Sequence, residues 1–358
     1  MPDLSSKIQT AVPLAPLTTL KLGGNAAHFM TIAHPAELAQ AMTWANRSGL
    51  PVLVLGGGSN VVLADSGFPG LVMQMNTRGI HVQSAAAGVE VQVAAGEPWD
   101  AFVEYATKQG WAGVECLSGI PGSVGATPIQ NVGAYGQDVS QTIARVRVLD
   151  RKSLRTQWLK PEDLAFAYRD SWLRRNPDAF VVLDVVFQLH TRAPEAAKYG
   201  ELAQALGAIQ DPSLEQIRQT VLHLRRKKSM VLDPLDPNTA SAGSFFTNPI
   251  VRQQRAEHVV AVALNCGYAA QPSEVPQWRV SDDHVKLAAG WLIEKAGFPR
   301  GLRQGAVGIS SAHALALVHY GGGTAQELVA LARRIQRGVY EVFNVALSAE
   351  PVFVGLSL

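Results

Sequence analysis

The first part of the chain alternates apolar runs with one amphipathic stretch, a pattern that predicts strand, helix, strand and strand. Residues 29–32 and 51–55 are apolar, and the helix-forming stretch 35–44 between them carries apolar residues three and four positions apart. Residues 61–63 resume strand character. The loop 56–60 is therefore predicted to join two strands, whereas a Rossmann dinucleotide fingerprint needs a helix directly after its glycines.

The rest of the chain continues this mixture of strands and helices. Short apolar stretches dominate residues 80–190 and predict strands, for example over 89–94, 144–149 and 181–189. Longer amphipathic stretches predict helices over 98–108, 213–228 and about 324–343. Ser213 and Thr324 open the last two helices in the capping-box pattern. A chain of 358 residues with this alternation is expected to form two or three mixed α/β domains.

Glycine concentrates in two uncharged segments, the loop 56–60 and the stretch 117–136. Glycine backbones can line a concave anion site, but the loop 56–60 taken alone favours a plain tight turn. The longer segment indicates backbone that lies close to a ligand, because so many residues there lack a side chain.

Composition narrows the functional classes. The chain is 47% hydrophobic and 17% charged, with a net charge of +2, which is typical of a globular protein and shows no nucleic-acid footprint. Its apolar runs are too short to span a bilayer, and its N-terminus lacks a secretory signal. Cys116 and Cys266 form no Cys-x-x-Cys pair, and the histidines form no ligand pattern. We expect a cytoplasmic monomer without a metal and without membrane contact.

Three residues are candidates for chemistry, each with a structural alternative. Ser244 follows a glycine and precedes two aromatic residues, and it either donates a proton or bonds nearby backbone. Arg169 can grip a carboxylate with two hydrogen bonds or pair with Asp170. Glu350 precedes an apolar C-terminal stretch, where it either orients a substrate or is simply solvated.

Several segments, taken in order, resemble the UDP-N-acetylenolpyruvoylglucosamine reductase family. The resemblance is carried by Thr-Leu-Lys-Leu-Gly-Gly-Asn at 19–25, Gly-Gly-Gly-Ser-Asn at 56–60, Gly-Ile-Pro-Gly-Ser-Val-Gly at 119–125, Gln-Asn-Val-Gly-Ala-Tyr-Gly at 130–136, Tyr-Arg-Asp-Ser at 168–171, Gly-Ser-Phe-Phe-Thr-Asn-Pro at 243–249 and Glu-Pro at 350–351. Each segment alone is a weak signal, but together they span nearly the whole chain and are specific.

The resemblance implies an α+β or α/β protein whose FAD-binding fold is of the vanillyl-alcohol oxidase type. Two α/β subdomains would clasp FAD, and a third α/β domain would bind the substrate. Residues 1–79 would form the first subdomain, with 346–358 returning to it as a strand. Residues 80–211 would form the second subdomain, and 212–345 the substrate-binding domain.

The resemblance also implies the site residues. FAD would be bound by the two glycine loops and their neighbours, namely Gly56, Gly57, Gly58, Ser59, Asn60, Ser118, Pro121, Gly122, Ser123, Gly125, Thr127 and Gly133. The substrate would be bound by Tyr168, Tyr199, Lys228, Gly243 and Asn248.

The reaction implied is the reduction of UDP-N-acetylglucosamine enolpyruvate to UDP-N-acetylmuramate. NADPH would deliver hydride to flavin N5 and leave, and the substrate would then take an overlapping site and receive the hydride at its vinyl methylene carbon. Arg169 and Glu350 would stabilise the resulting carbanion through the substrate carboxylate, and Ser244 would protonate it.

Details within the family leave some points open. The stretch Tyr-Gly-Glu-Leu at 199–202 looks like the tyrosine loop of one family subgroup. Thr247 stands where the family often has Lys. The stretch 229–233 replaces a shorter one, which makes Lys228 the better match for the residue that contacts the diphosphate and leaves Lys227 as the alternative. Two other functions compete: a flavin oxidase of the same fold, and a UDP-sugar-binding protein with a degenerate flavin site.

Overall fold

The computed structural model describes residues 4–85, 88–191, 200–207, 209 and 211–358, with side chains from Ser6 onwards. The chain divides into two compact units. Unit 1 comprises Met1–Val12, Ala26–Gly58 and Phe68–Val231, and unit 2 comprises Pro13–Asn25, Ser59–Gly67 and Leu232–Leu358. The division into three domains stays a prediction.

Unit 1 contains two sheets and a ribbon. Its strands are β1 (Gln9–Pro13), β2 (Asn25–Ile32), β3 (Val52–Leu55), β5 (Phe68–Met75), β6 (Ile80–Ala85), β7 (Gly88–Ala94), β8 (Gly133–Ala134), β9 (Gln137–Asp138), β10 (Ile143–Asp150), β11 (Thr156–Leu159) and β12 (Phe180–Leu189). Its helices are α1 (Pro35–Arg47), α2 (Trp99–Lys108), α3 (Thr127–Gln130), α4 (Pro161–Leu164), α5 (Trp172–Arg175), α6 (Gly200–Leu206) and α7 (Leu214–Lys227).

The two sheets of unit 1 differ in their pairing. Strands β1-β2-β5-β3 form one sheet, in which β5 runs parallel to both β2 and β3, and α1 is the crossover between β2 and β3. Strands β11-β10-β12-β7-β6 form an antiparallel sheet. Both strand-rich regions were predicted from the apolar stretches.

The core of unit 1 forms where the helices cover these sheets. Leu38 of α1 and Met73 of β5 are fully buried. Trp99 and Phe102 of α2 pack with Phe187 of β12, with ring centroids 5.0–5.8 Å apart. A smaller cluster lies between α6 and α7.

Unit 2 carries the remaining elements. Its strands are β4 (Val61–Leu63), β13 (Ser241–Ser244), β14 (Ile250–Arg252), β15 (Gln277–Arg279), β16 (His284–Leu287), β17 (Arg303–Gln304), β18 (Val307–Ile309), β19 (Ala316–His319) and β20 (Val352–Val354). Its helices are α8 (Gln253–Asn265), α9 (Ala289–Lys295) and α10 (Ala325–Phe343).

Short sheets and α10 organise unit 2. Strands β13-β19-β18-β17 and β14-β16-β15 form two antiparallel sheets, and β20 pairs in parallel with β4. The buried face of α10 includes Leu328, Ile335 and Phe343. Thr324 Oγ1 accepts the Glu327 N–H at its first turn, which confirms the predicted capping box. In the described ranges no helix is both long and apolar enough to cross a membrane.

Candidate functional site

Two glycine loops of unit 1 lie with their backbones almost in contact. A Cβ atom built on Gly57 would lie 2.8 Å from the Gly122 Cα atom, and one on Gly56 would clash with Ser123 Oγ. Gly58 and Gly122 have φ angles of 62° and 125°, which residues with side chains rarely adopt. Glycine is therefore needed here for close approach of the two loops, and not only for a turn.

These loops have the properties expected of a pyrophosphate site. The first loop follows β3 and precedes β4, so the predicted strand–loop–strand arrangement is confirmed. Gly57 is exposed, and glycine backbones can present N–H groups to an anion without interference from Cβ atoms. Ser59 and Asn60 continue the loop and belong to unit 2. The residues present fit the diphosphate of FAD.

The second loop is held by its own hydroxyl groups. The hydroxyl of Ser118 donates to the Glu115 carbonyl at 2.6 Å, and that of Thr127 donates to the Val124 carbonyl at 2.8 Å. Ser118 and Thr127 are both buried. The Gly125 N–H donates to the Ala95 carbonyl at 2.9 Å. Ser118 and Thr127 therefore stabilise the conformation of the loop, in addition to the FAD contact predicted for each.

An ion pair between helices anchors the start of this loop. Asp100 of α2 accepts the Gly119 N–H at 2.6 Å and two hydrogen bonds from Arg218 of α7, at 2.6 and 3.0 Å. Burial by itself raises the pKa of Asp100, but the hydrogen bonds from Arg218 and Gly119 and the charges of Arg218 and Arg225 outweigh it and hold the pKa below its usual value. Asp100 is therefore ionised at neutral pH.

Arg169 lies in a strained conformation beside the β8–β9 ribbon. Its φ angle is 55°, which is uncommon for a residue with a side chain. Its guanidinium donates to the Gly133 carbonyl and lies 5.4 Å from the centre of the Tyr168 ring. Asp170 pairs with Arg175, and the structural alternative of an Arg169–Asp pair stays open.

The basic end of α7 divides into outward and inward side chains. Lys227 is exposed, whereas Lys228 lies with Nζ 5.9 Å from the centre of the Tyr135 ring and 2.6 Å from Glu201 Oε2. Arg225 turns inward, where Nη2 donates to the Met230 carbonyl at 2.7 Å and the buried Nε atom has no hydrogen-bond partner within the described part of the chain. The basic stretch 225–228 is therefore not simply a solvated helix end, because the side chains of Arg225 and Lys228 make contacts within the protein.

Burial lowers the pKa of Arg225 to about 10, and the positive charge of Arg169 acts in the same direction. Tyr135 and Asp100 oppose this effect. Arg225 remains a cation at neutral pH, and together with Arg169 it gives this part of unit 1 a surplus of positive charge suited to an anionic ligand.

In unit 2, Ser244 lies at the end of a distorted strand. The pairing of β13 with β19 shifts register between Ser241 and Ser244, and Gly243 inside this irregularity has a φ angle of 72°. Phe245 and Phe246 follow and are fully buried, with ring centroids 5.3 Å apart. A bulge of this kind re-aims side chains, and bulges are common beside active sites.

The segment around Glu350 pairs with the chain just after Ser244. The Glu350 N–H donates to the Phe245 carbonyl at 2.9 Å. Asn60 Nδ2 donates to the Glu350 carbonyl at 3.4 Å, and the Val352 N–H donates to the Asn60 carbonyl at 3.0 Å. Ser244, Glu350 and Asn60 are therefore brought together within unit 2.

Asn248 and Tyr199 are two further residues that were predicted to bind the substrate. Asn248 Oδ1 accepts the Ala289 N–H at 2.9 Å and so caps α9, which fixes the orientation of its amide. Tyr199 lies outside the described residues. Among the residues described, no cluster of three His, Cys, Asp or Glu side chains is placed to hold a metal ion.

Similarity to known proteins covers nearly the whole chain. Residues 26–154 match the FAD binding domain family, and residues 233–354 match the C-terminal domain of UDP-N-acetylenolpyruvoylglucosamine reductase. The reductase of that name from Thermobifida fusca is 49% identical over 97% of this chain and 98% of its own. The reductase from Mycobacterium tuberculosis is 43% identical over 98% of this chain and 96% of its own.

The chain belongs to the UDP-N-acetylenolpyruvoylglucosamine reductase family. It is an FAD-dependent oxidoreductase, as the sequence motifs had implied. The solved reductase from Thermus caldophilus, 24% identical with a TM-score of 0.64, covers 97% of this chain and 98% of its own and supports the same fold. The predicted FAD-binding fold class is thereby confirmed.

The sequence motifs missed three residues of this enzyme that shape the site. Asp100 and Arg218 anchor the Gly119 loop from helices that look like ordinary amphipathic segments. Arg225 belongs to the basic stretch Arg-Arg-Lys-Lys at 225–228, whose composition is typical of a solvated helix end. Its signal in the sequence was its position one residue after the buried Leu224, which places it near the apolar face of α7.

Proposed function

We propose that this enzyme reduces UDP-N-acetylglucosamine enolpyruvate to UDP-N-acetylmuramate with NADPH, in the cytoplasmic synthesis of peptidoglycan precursors. The observation that carries the proposal is the near-complete coverage of curated reductases of this name at 49% identity, together with a glycine cradle that fits FAD. The glycine loops at 56–58 and 119–125 would hold FAD, which would supply the redox chemistry of hydride transfer from NADPH to the methylene carbon of the enolpyruvyl ether.

The protein's own residues bind the substrate and handle its charge. Arg169 binds the substrate carboxylate, where a guanidinium can form two parallel hydrogen bonds. Glu350, in its protonated form, donates a hydrogen bond to the negative charge that hydride addition creates. The surplus positive charge at Arg169 and Arg225 supports this role for Arg169. Lys228 binds the diphosphate as a point charge, assisted by Tyr199, while Tyr168, Gly243 and Asn248 complete the substrate contacts.

Ser244 donates the proton that completes the reaction. Its position supports this role, because the register shift between Ser241 and Ser244, with Gly243 at a positive φ, sets the direction of the backbone directly before Ser244. A serine hydroxyl is a weak acid, so the transfer depends on the negative charge that it neutralises on the substrate carbon.

The visible spectrum of the purified protein tests the proposal. We expect flavin absorbance that bleaches when NADPH is added without oxygen and returns when UDP-N-acetylglucosamine enolpyruvate follows. Return of the absorbance only with oxygen would indicate a flavin oxidase. A colourless protein that FAD cannot reconstitute would leave the UDP-sugar-binding function.

A further inference from the structure

Lys228, the proposed diphosphate ligand, is already engaged by a carboxylate of its own unit. Lys228 Nζ lies 2.6 Å from Glu201 Oε2, and both side chains are partly exposed. Lys228 occupies the C-terminal cap position of α7, and Glu201 lies in the first turn of α6. The pair therefore joins the ends of two separate helices.

The packing of α6 against α7 fixes this pair. Leu202 and Leu206 of α6 are buried in one cluster with Ile217, Val221 and Leu224 of α7. Leu202, the residue next to Glu201, has no exposed surface. Because this apolar contact holds α6 in place, Glu201 is kept within reach of Lys228, and the ion pair is not a chance meeting of two long surface side chains.

A diphosphate and Glu201 compete for the same ammonium group. A ligand diphosphate carries about two negative charges at neutral pH, and like charges at close range are destabilising. The diphosphate has to displace Glu201 from Lys228 and then tolerate its carboxylate nearby. A partly exposed ion pair is weak, typically below about 1 kcal/mol, so this displacement is feasible.

We propose that Glu201 is an internal competitor for the diphosphate and lowers the affinity of the enzyme for UDP-sugars. The inference rests on the proposed function of Lys228. Because substrate and product carry the same diphosphate, Glu201 weakens both to the same extent and thereby favours product release. It does not alter the chemical step, since an interaction shared by ground state and transition state changes KM and leaves kcat unaffected.

Glu201→Gln in the FAD-loaded enzyme tests this inference. We expect the KM for UDP-N-acetylglucosamine enolpyruvate to fall about two- to fivefold, with an unchanged rate of flavin reoxidation at saturating substrate. Glu215→Gln is the matched control, because it removes the same charge from an exposed side chain on α7 that is bonded to the neutral Gln219. It should leave KM unchanged.

Repeating Glu201→Gln in the Lys228→Met variant tests whether its effect on KM depends on Lys228. In Lys228→Met enzyme, Glu201→Gln should lower KM clearly less than in the native enzyme, because the contested ammonium group is gone and only the repulsion between Glu201 and the diphosphate remains. An unchanged or raised KM for Glu201→Gln in the otherwise native enzyme would overturn the inference and leave Glu201 as a support for Lys228. An equal fall in KM in the Lys228→Met background would overturn it as well.

Binding of UDP separates this inference from the proposed function. Titration of the FAD-loaded enzyme with UDP, followed by the flavin difference spectrum, should give an affinity two- to fivefold higher in Glu201→Gln than in the native enzyme. If the native enzyme cycles with the sugar substrate but this difference is absent, only the inference fails. If the native enzyme does not cycle, the proposed function fails, and the UDP titration still decides the competition at Lys228.

Discussion

Ser244 illustrates how a weak acid is positioned by the residues around it. It lies between Gly243, which adopts a positive φ, and two phenylalanines buried in the core of unit 2. The side chains after it are fixed by packing, and the backbone before it is freed from the regular ladder. Its role as proton donor is a proposal that one substitution can isolate.

Ser244→Ala should separate the two half-reactions. Bleaching of the flavin by NADPH should stay close to the native rate, while reoxidation by the sugar substrate should slow by about 10²–10⁴-fold, the usual contribution of a positioned acid. Stopped-flow absorbance measures both steps. Ser348→Ala removes an exposed hydroxyl from the same unit and should alter neither. Equal rates for both steps in Ser244→Ala would contradict its role.

Asp100 is a residue whose charge stabilises the fold. Asp100→Ala should lower the free energy of unfolding by about 2 kcal/mol at pH 7, because it removes the carboxylate that forms two hydrogen bonds with the buried Arg218 and leaves it with the more distant Glu104, at 3.8 Å. The pKa of Asp100 is lowered in the folded state, so its contribution is complete above about pH 4 and is lost as the pH falls through the folded pKa.

Urea unfolding of both proteins at several pH values measures this contribution. The difference between native enzyme and Asp100→Ala should be constant from pH 7 to pH 5 and should shrink towards pH 3. Asp282→Ala removes an exposed carboxylate and should show little difference at any pH. A difference that grows with acidity would contradict the assignment.

At the scale of elements, we propose that the close approach of two glycine loops forms the FAD pyrophosphate site. A Cβ atom on Gly57 would meet the Gly122 backbone, which cannot rotate away as a side chain could. Gly57→Ala should therefore push the loops apart and weaken FAD binding by about 5- to 150-fold, as expected for an overpacking cost of about 1–3 kcal/mol.

The ratio of flavin to protein absorbance after purification, followed by titration of the apoprotein with FAD, checks the Gly57→Ala prediction. Gly290→Ala is the control, because a Cβ atom there would lie 3.6 Å from Ala314 Cβ, an ordinary contact. This variant should retain FAD. Normal FAD content in Gly57→Ala would mean that the two loops do not form the pyrophosphate site.

At the scale of the whole molecule, FAD binding should be linked to stability. The match to the FAD binding domain family, residues 26–154, falls mostly within unit 1. A ligand that binds only the folded protein stabilises it by about 2.7 kcal/mol at a concentration one hundred times its Kd. The thermal midpoint of the apoprotein should therefore rise steadily with added FAD.

Thermal melts monitored by circular dichroism measure this dependence. Gly57→Ala, which weakens FAD binding without removing a buried side chain, should need proportionally more FAD for the same rise. A midpoint that is independent of FAD in the native chain would contradict the linkage.

The sequence by itself determined the local elements and the family. Helix α2 was predicted over 98–108 and runs from Trp99 to Lys108, and α7 was predicted over 213–228 and runs from Leu214 to Lys227. Capping residues and apolar periodicity lie within a few positions of each other, so a short window of sequence contains the whole signal. The motif order likewise needs no coordinates.

Only the tertiary structure decided which side chains meet. Asp100 and Arg218 are 118 positions apart, and Glu201 and Lys228 are 27 apart. Asp170 pairs with Arg175, five positions further along the chain. Such partners are chosen by how helices and loops pack, and packing depends on the apolar surfaces of the whole unit. The sequence therefore shows that residues 225–228 are basic, and only the fold shows which of these side chains points into the protein.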